Sequence, residues 1–288
     1  MATIHHVSDT ARLAAMFRAK ENERPEPLFR DPYARKLAGE EGERIIASLP
    51  FHTEHEWSWI TRTVLFNRVI EEEIRGGVDT VVNLAAGLDA RPYWMTLPGN
   101  LRWIEADLPG ILDYKESLLQ GETPRCELER VRVDLSDAGA RAEFFRSVTV
   151  KTRKALVITE GLLVYLTAEQ VAGLAEEMAQ YRQVTRWVTD LASPGLLAML
   201  QKETHHQFSE GATPLQFAPE NGPAFFEPHG WKLLSSPSML HEAARLKRLP
   251  NWRMRMFAML PVGDTKKMGK RPWSGVCVFE NQKLAASN

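Results

Sequence analysis

Cysteine is nearly absent from this 288-residue chain: Cys126 and Cys277 are the only two, with no C-x-x-C pair. That excludes a disulfide framework and a cysteine-rich metal site, and predicts two free thiols in a reducing compartment. Charge of one sign is also missing. Lys and Arg number 36 against 37 Asp and Glu, giving a net charge of −1 and a pI near 6.7. The densest basic run, Lys266-Lys267-Met268-Gly269-Lys270-Arg271, is short and reads as a solvated loop, so nucleic acid is not the expected partner. No stretch of about 18 apolar residues occurs, and MATIHHVSDTARLAAMFRAKE lacks an apolar signal core. The expectation is a cytoplasmic protein with no membrane partner. Two further absences limit the chemistry. Ser235-Ser236 lacks the G-x-S-x-G elbow of a hydrolase. His205-His206 with Glu203 offers no third ligand at metal spacing, so no metal is expected.

What is present is an ordinary globular composition, 44% hydrophobic and 25% charged, over enough chain to bury a large core. Helices are predicted over 8–23, with Leu13, Met16 and Phe17 on one face, and over 54–75, closed by Gly76-Gly77. RPEPLFRDPY between them reads as irregular. Strands are predicted at 80–86, 102–107, 130–135, 154–160 and 186–191, with helical segments between, then at 230–236 and 275–281. The helix after the fourth strand is the best signalled. Thr167 and Gln170 form a capping box, and Val171, Leu174, Ala175 and Met178 a buried stripe. The alternation calls for a doubly wound α/β sheet. The expected organisation is one domain, 1–288, with a helical cap (1–77), βα units (78–194), a lid insert (195–230) and closing strands (231–288).

Acidic residues recur along the alternating part. Gly87 to Asp107 is 20 residues, Asp107 to Asp134 is 27, and Asp134 to Glu160 is 26. Each interval fits a helix plus a strand, which puts each acid at the carboxyl edge of a successive parallel strand, where open α/β sheets bind ligands. The turn after strand one, Ala85-Ala86-Gly87-Leu88-Asp89-Ala90, has one of the three glycines of a dinucleotide fingerprint. Asp89 would also repel a pyrophosphate at the helix start. S-adenosylmethionine carries no phosphate and has hydroxyl, amine and sulfonium groups that suit a row of acids. A nicotinamide-dependent oxidoreductase is therefore disfavoured. A non-catalytic binding protein on the same fold stays open.

With those residues in place, the chain resembles the leucine carboxyl methyltransferase-like proteins, which include many bacterial S-adenosylmethionine-dependent methyltransferases. The resemblance runs through SDTARLAAMFRAKENERPEPLFRDPYA, Arg62-Thr63, VVNLAAGLDARPY, EADLPGILDYK, VDLSD and EGLLVYLT. It implies a seven-stranded, mostly parallel, Rossmann-like class I methyltransferase fold with S-adenosylmethionine as cofactor. It also implies site roles. Arg62 would grip the cofactor carboxylate, Asp107 the ribose hydroxyls with Glu105 as alternate, and Asp134 and Leu135 the adenine. Glu160 would lie at the methionine end, and Gly87 would allow close backbone approach. The family usually has Gly-Ala-Gly where this chain has Ala85-Ala86-Gly87, so Ala85 is expected to narrow the turn and weaken affinity. Restoring glycine there would be expected to cost some fold stability. The expected reaction is O-methylation of a carboxylate or hydroxyl on a small molecule, with a protein C-terminus as the alternative acceptor. No catalytic residue is assigned. Tyr165, Asp190, His205, His206 and His229 are candidate bases should the acceptor be a hydroxyl. Oligomeric state is not legible in the sequence.

Overall fold

The computed structural model describes residues 7–48, 52–204, 214–267 and 269–283. Three helices come first: α1 (Val7–Asn22), α2 (Ala34–Ser48) and α3 (His52–Arg75). The alternating part follows as β1 (Thr80–Leu84), α4 (Arg91–Trp94), β2 (Arg102–Asp107), α5 (Pro109–Leu118), β3 (Glu127–Arg132), α6 (Ala138–Thr149), β4 (Ala155–Thr159), α7 (Ala168–Gln180) and β5 (Val184–Ala192). The last third holds α8 (Pro194–Thr204), β6 (Trp231–Ser235), α9 (Met239–Arg245), α10 (Trp252–Phe257) and β7 (Ser274–Asn281). Among the described residues no helix is long and apolar enough to cross a membrane.

The seven strands lie in the order β3-β2-β1-β4-β5-β7-β6. All pairs are parallel except those made by β7, which runs antiparallel to both β5 and β6. The chain winds outward from β1 through β2 to β3, then returns to β4 on the other side of β1. That reversal opens a crevice at the carboxyl ends of β1 and β4, the binding position of doubly wound sheets. Strands β1 and β4 are buried at every residue, as expected where helices cover both faces. Successive residues serve opposite cores, in keeping with the two-residue period of a strand. Val82, Ile104 and Val157 face Phe145, Leu174 and Met178 of α6 and α7. Val81, Trp103 and Leu156 face Phe66 and Ile70 of α3. A separate core joins the N-terminal helices, with Leu13, Met16 and Phe17 against Leu37, Ile45 and Ile60.

The predicted capping box of α7 is formed: Gln170 N donates to Thr167 Oγ1 at 3.2 Å, and Thr167 N to Gln170 Oε1 at 2.8 Å. Helices α9 and α10 have no counterpart in the sequence expectation, and three further elements differ from it. Helix α2 has no counterpart in it, because Gly39 (φ +64°) kinks the helix and breaks its periodicity. Strand β3 begins and ends three residues earlier than 130–135. It is an edge strand paired only to β2, and its ELERVR carries no apolar run to mark its bounds. The expected lid also divides. Phe217 and Phe226 are buried, with Phe226 packed on Trp187 and Phe279 in the sheet core. Phe208 lies outside the described residues.

Candidate active site

The first turn sets the geometry. Leaving β1, the chain takes left-handed backbone at Ala85 (φ +51°) and again at Gly87 (φ +48°). Asp107, the last residue of β2, ties this turn to the next: Gly87 N donates to its Oδ2 and Leu108 N to its Oδ1, each at 2.7 Å. Burial raises the Asp107 carboxyl above the usual aspartate range, against the opposing pull of those two N–H groups and of Lys115. Each oxygen accepts one backbone bond and keeps acceptor capacity for a ligand hydroxyl. A side chain at Gly87 would meet Ala11 of α1, its Cβ falling 3.4 Å from that of Ala11, and would be strained by the left-handed backbone. Helix α1 roofs the turn, and Arg18 Nη2 donates to Leu88 O at 2.6 Å.

A string of alternating charges crosses the crevice floor. Arg62 of α3 reaches Glu160, just past β4, with Nε–Oε1 at 3.2 Å, and Asp190 of β5 with Nη1–Oδ2 at 3.3 Å. It does not pair with Glu71 or Glu72, and its guanidinium lies 4.6 Å from the Trp59 ring centre. Asp190 Oδ1 accepts from Gly161 N at 2.7 Å. Glu160 Oε2 meets Arg91 Nη1 at 2.9 Å, and the same nitrogen meets Asp89 Oδ2 at 2.8 Å. Burial would lower the pKa of Arg62, but Asp190 and Glu160 more than reverse it, so the net direction is up. Arg91 is raised by the same balance, with Asp89 and Glu160 as partners. Gly161 (φ +68°) leaves room for this arrangement: a Cβ there would fall 3.2 Å from Arg62 Nη1.

Asp89 does more than begin a helix. It accepts from Arg91 N at 2.9 Å and from Asn83 Nδ2 at 2.9 Å. Burial raises its carboxyl, but Arg91, Lys115 and Arg18 outweigh that and lower it. Its charge is matched, so the case against a pyrophosphate rests on the turn's missing glycines.

Arg62, Ala85, Gly87, Asp107 and Glu160 line one cavity of roughly 1790 Å³, together with Asn83, Arg91 and Asp190. Asp134 and Leu135 are not in its lining. The early end of β3 leaves Asp134 beyond the strand, exposed, accepting from Ser136 N at 2.9 Å and Ser136 Oγ at 2.7 Å, bonds that hold its carboxyl low. Leu135 packs at the edge of the sheet core. Glu105 is no alternate for Asp107. It is fully buried and clamped by Lys115 Nζ (2.7 Å) and Arg130 Nε (2.8 Å).

Of the candidate bases, Tyr165 and Asp190 line the cavity. His229 does not; it pairs with Glu176 at 2.8 Å. His205 and His206 lie outside the described residues. Burial raises the Tyr165 phenol, whose hydroxyl donates to Thr10 Oγ1 at 3.3 Å. The lining also includes the apolar side chains of Leu196, Met199, Phe217, Met239, Met254 and Trp273. His241 lines it too, with Nδ1 3.0 Å from Ser238 Oγ and Nε2 2.8 Å from Leu260 O. Arg91 and His241 were not singled out from sequence. Arg91 follows directly on the turn motif, whereas His241 carries no local signal. Among the described residues no group of acids, histidines and cysteines could hold a metal ion.

The donors and acceptors fit S-adenosylmethionine. Arg62 makes no hydrogen bond through Nη2 among the described residues, and Arg91 Nη2 is buried without an acceptor. Both are capacity for a ligand carboxylate, and Asp107 keeps acceptor capacity for hydroxyls. Comparison with known proteins agrees. The leucine carboxyl methyltransferase family model matches residues 11–179. A Mycobacteroides abscessus protein named among S-adenosyl-L-methionine-dependent methyltransferases is 30% identical over 270 residues, covering 85% of this chain and 89% of its own. A similarly named Streptomyces coelicolor protein, SCO7813, is 31% identical, covering 77% of this chain and 82% of its own. Two crystal structures share the fold: a DUF574 protein of Streptomyces avermitilis (TM-score 0.59, 11% identity, 94% and 97% of the two chains) and a methyltransferase-like protein of Thermobifida fusca (TM-score 0.55, 16% identity, 94% of each). The chain belongs to the leucine carboxyl methyltransferase family of S-adenosylmethionine-dependent methyltransferases.

Proposed function

We propose that this enzyme methylates an oxygen, a carboxylate or a hydroxyl, of a small and largely apolar molecule. The observation that carries the proposal is the mixed lining of one large cavity. It holds the charged group Arg62, Arg91, Asp107, Glu160 and Asp190 together with many apolar side chains, among them Leu196, Met199, Phe217 and Met254. At roughly 1790 Å³ it exceeds ordinary ligand cavities, which reach about 1,000 Å³. There is room for an acceptor beside the cofactor.

The cofactor, when bound, supplies an electrophilic methyl group on a sulfonium. The residues' share is then to bind and orient. Arg62 and Arg91 would hold its carboxylate and Asp107 its ribose hydroxyls, while the left-handed turn at 85–87 lets backbone come close. The apolar wall would exclude water and hold the acceptor oxygen in line with the methyl carbon, where positioning supplies most of the acceleration. A carboxylate acceptor needs no base. Tyr165, kept neutral by burial, would donate to such a carboxylate only by turning its hydroxyl away from Thr10 Oγ1, and it is not placed to take a proton.

Calorimetry should find S-adenosylmethionine and its demethylated product binding with micromolar affinity, roughly −7 to −8 kcal/mol. Labelled methyl transfer should then appear with apolar acids or phenols and not with polar metabolites of similar size. Transfer only to a protein C-terminus, or to no oxygen nucleophile in a broad panel, would refute the acceptor assignment.

A further inference from the structure

Between Asn251 and Arg271 the composition departs from the rest of this nearly neutral chain. This stretch carries six cations (Arg253, Arg255, Lys266, Lys267, Lys270 and Arg271) and one acid, Asp264. It also exposes large apolar side chains. Of the ten exposed large hydrophobics among the described residues, six lie within 252–262: Trp252, Met256, Phe257, Met259, Leu260 and Val262. Trp252 is 65% and Met259 83% exposed. Phe257, Leu260 and Val262 line the cavity, which leaves Trp252, Met256 and Met259 exposed within eight residues of one another outside it; such clustering marks an interaction surface.

The local arrangement is specific. Asn251 caps α10, its side chain accepting from Met254 N at 3.0 Å. Trp252 and Met256 are one helical turn apart and so share a face. Arg253 and Arg255 flank that face, with the Arg253 guanidinium 5.7 Å from the Trp252 ring centre. Met254 and Phe257 line the cavity, as do Leu260, Pro261 and Val262 just after the helix. Helix α10 is thus one wall of the cavity, and outside it Trp252 and Met256 share a face flanked by Arg253 and Arg255.

We propose that this face docks the enzyme on an anionic lipid surface. Apolar side chains bordered by arginines match an interfacial segment, which buries its hydrophobics at the headgroup boundary while its cations meet anionic lipid. A second copy of the chain is the poorer occupant, since isologous pairing would bring two such cationic borders together. Lys266 is partly engaged, 3.1 Å from Glu227; Arg255 has no acidic partner among the described residues. The expectation of no membrane partner, drawn from the lack of a spanning segment, does not bear on peripheral attachment. Because α10 also contributes Met254 and Phe257 to the cavity wall, a lipophilic acceptor could pass from the lipid to the cavity beside it. That last step rests on the proposed acceptor; the docking does not.

The test uses the whole 288-residue chain and needs no acceptor. Cosedimentation is measured with vesicles of phosphatidylcholine alone and of phosphatidylcholine with one-third phosphatidylglycerol. Binding is expected to the anionic vesicles, to weaken as salt is raised, and to fall at least tenfold in Met256→Ser/Met259→Ser and in Arg253→Glu/Arg255→Glu. None of these four residues lines the cavity, so both variants should keep wild-type affinity for S-adenosylmethionine, which also verifies folding. No binding to anionic vesicles at low salt would overturn the proposal, as would binding undiminished in both variants. Light scattering that shows a dimer abolished by Met256→Ser/Met259→Ser would overturn it too, by making the face a self-interface.

Discussion

Ala85 offers the sharpest test of the turn. It is one of two non-glycine residues with positive φ among the described residues, at the position where the family resemblance implies glycine. Left-handed backbone costs an L-residue roughly 1–2 kcal/mol through contact of Cβ with the following carbonyl. Ala85→Gly removes that cost. Glycine also widens the unfolded ensemble, which opposes the gain by roughly 0.4–1 kcal/mol. The net is a fold unchanged or stabilised by up to about 1.5 kcal/mol. This reverses the loss of stability expected from the sequence, where the φ of residue 85 is not visible. Urea unfolding with an unchanged m-value reads the effect directly. In calorimetry, S-adenosylmethionine should bind more tightly by at most about tenfold, or 1.4 kcal/mol. A stability loss above about 1 kcal/mol at constant m, or weaker cofactor binding, would refute the reasoning and make the Ala85 methyl a needed contact.

Asp107→Ala should cost about 2–3 kcal/mol of cofactor affinity and Asp107→Asn less, because the amide oxygen still accepts; equal and negligible effects in calorimetry would remove Asp107 from the site. Because burial raises its carboxyl, cofactor affinity should begin to fall on acidification at a higher pH than an exposed aspartate would give. The fold runs the other way: this group's contribution is fully present below the usual value of 3.8 and is lost as pH rises through the raised folded value. Gly161→Ala should weaken cofactor binding at least about tenfold, or 1.4 kcal/mol, by displacing the Arg62 guanidinium; unchanged affinity would show that Arg62 moves freely. Glu105→Ala strands the buried Lys115 ammonium and should lower unfolding free energy by about 3–5 kcal/mol. A loss under about 1 kcal/mol in urea unfolding would show that the clamp contributes little.

The sequence by itself determined the features with local causes. The α7 capping box, the left-handed glycines that close turns and the βα spacing that brings Asp107 and Glu160 to the carboxyl edge all lie within a few residues of their signals. Strand β3 was misplaced because an edge strand of alternating charge carries no buried run, and Asp134 was displaced with it. Helix α2 went unseen because Gly39 interrupts its period. Pairing across the chain was decided by the tertiary structure. Arg62 meets Glu160 and Asp190 over separations of 98 and 128 residues, and no local pattern distinguishes those acids from Glu71 or Glu72. Glu105 and Asp107 are two residues apart and look equivalent as text. Packing under α5 gives Glu105 to Lys115 and Arg130, while the strand end leaves Asp107 at the crevice. The apolar wall depends most on the fold, since α8, α9 and α10 converge on one cavity only after β5, β6 and β7 have set their relative positions. Burial and long-range charge pairing are properties of that assembled surface, and neither is written in any one segment.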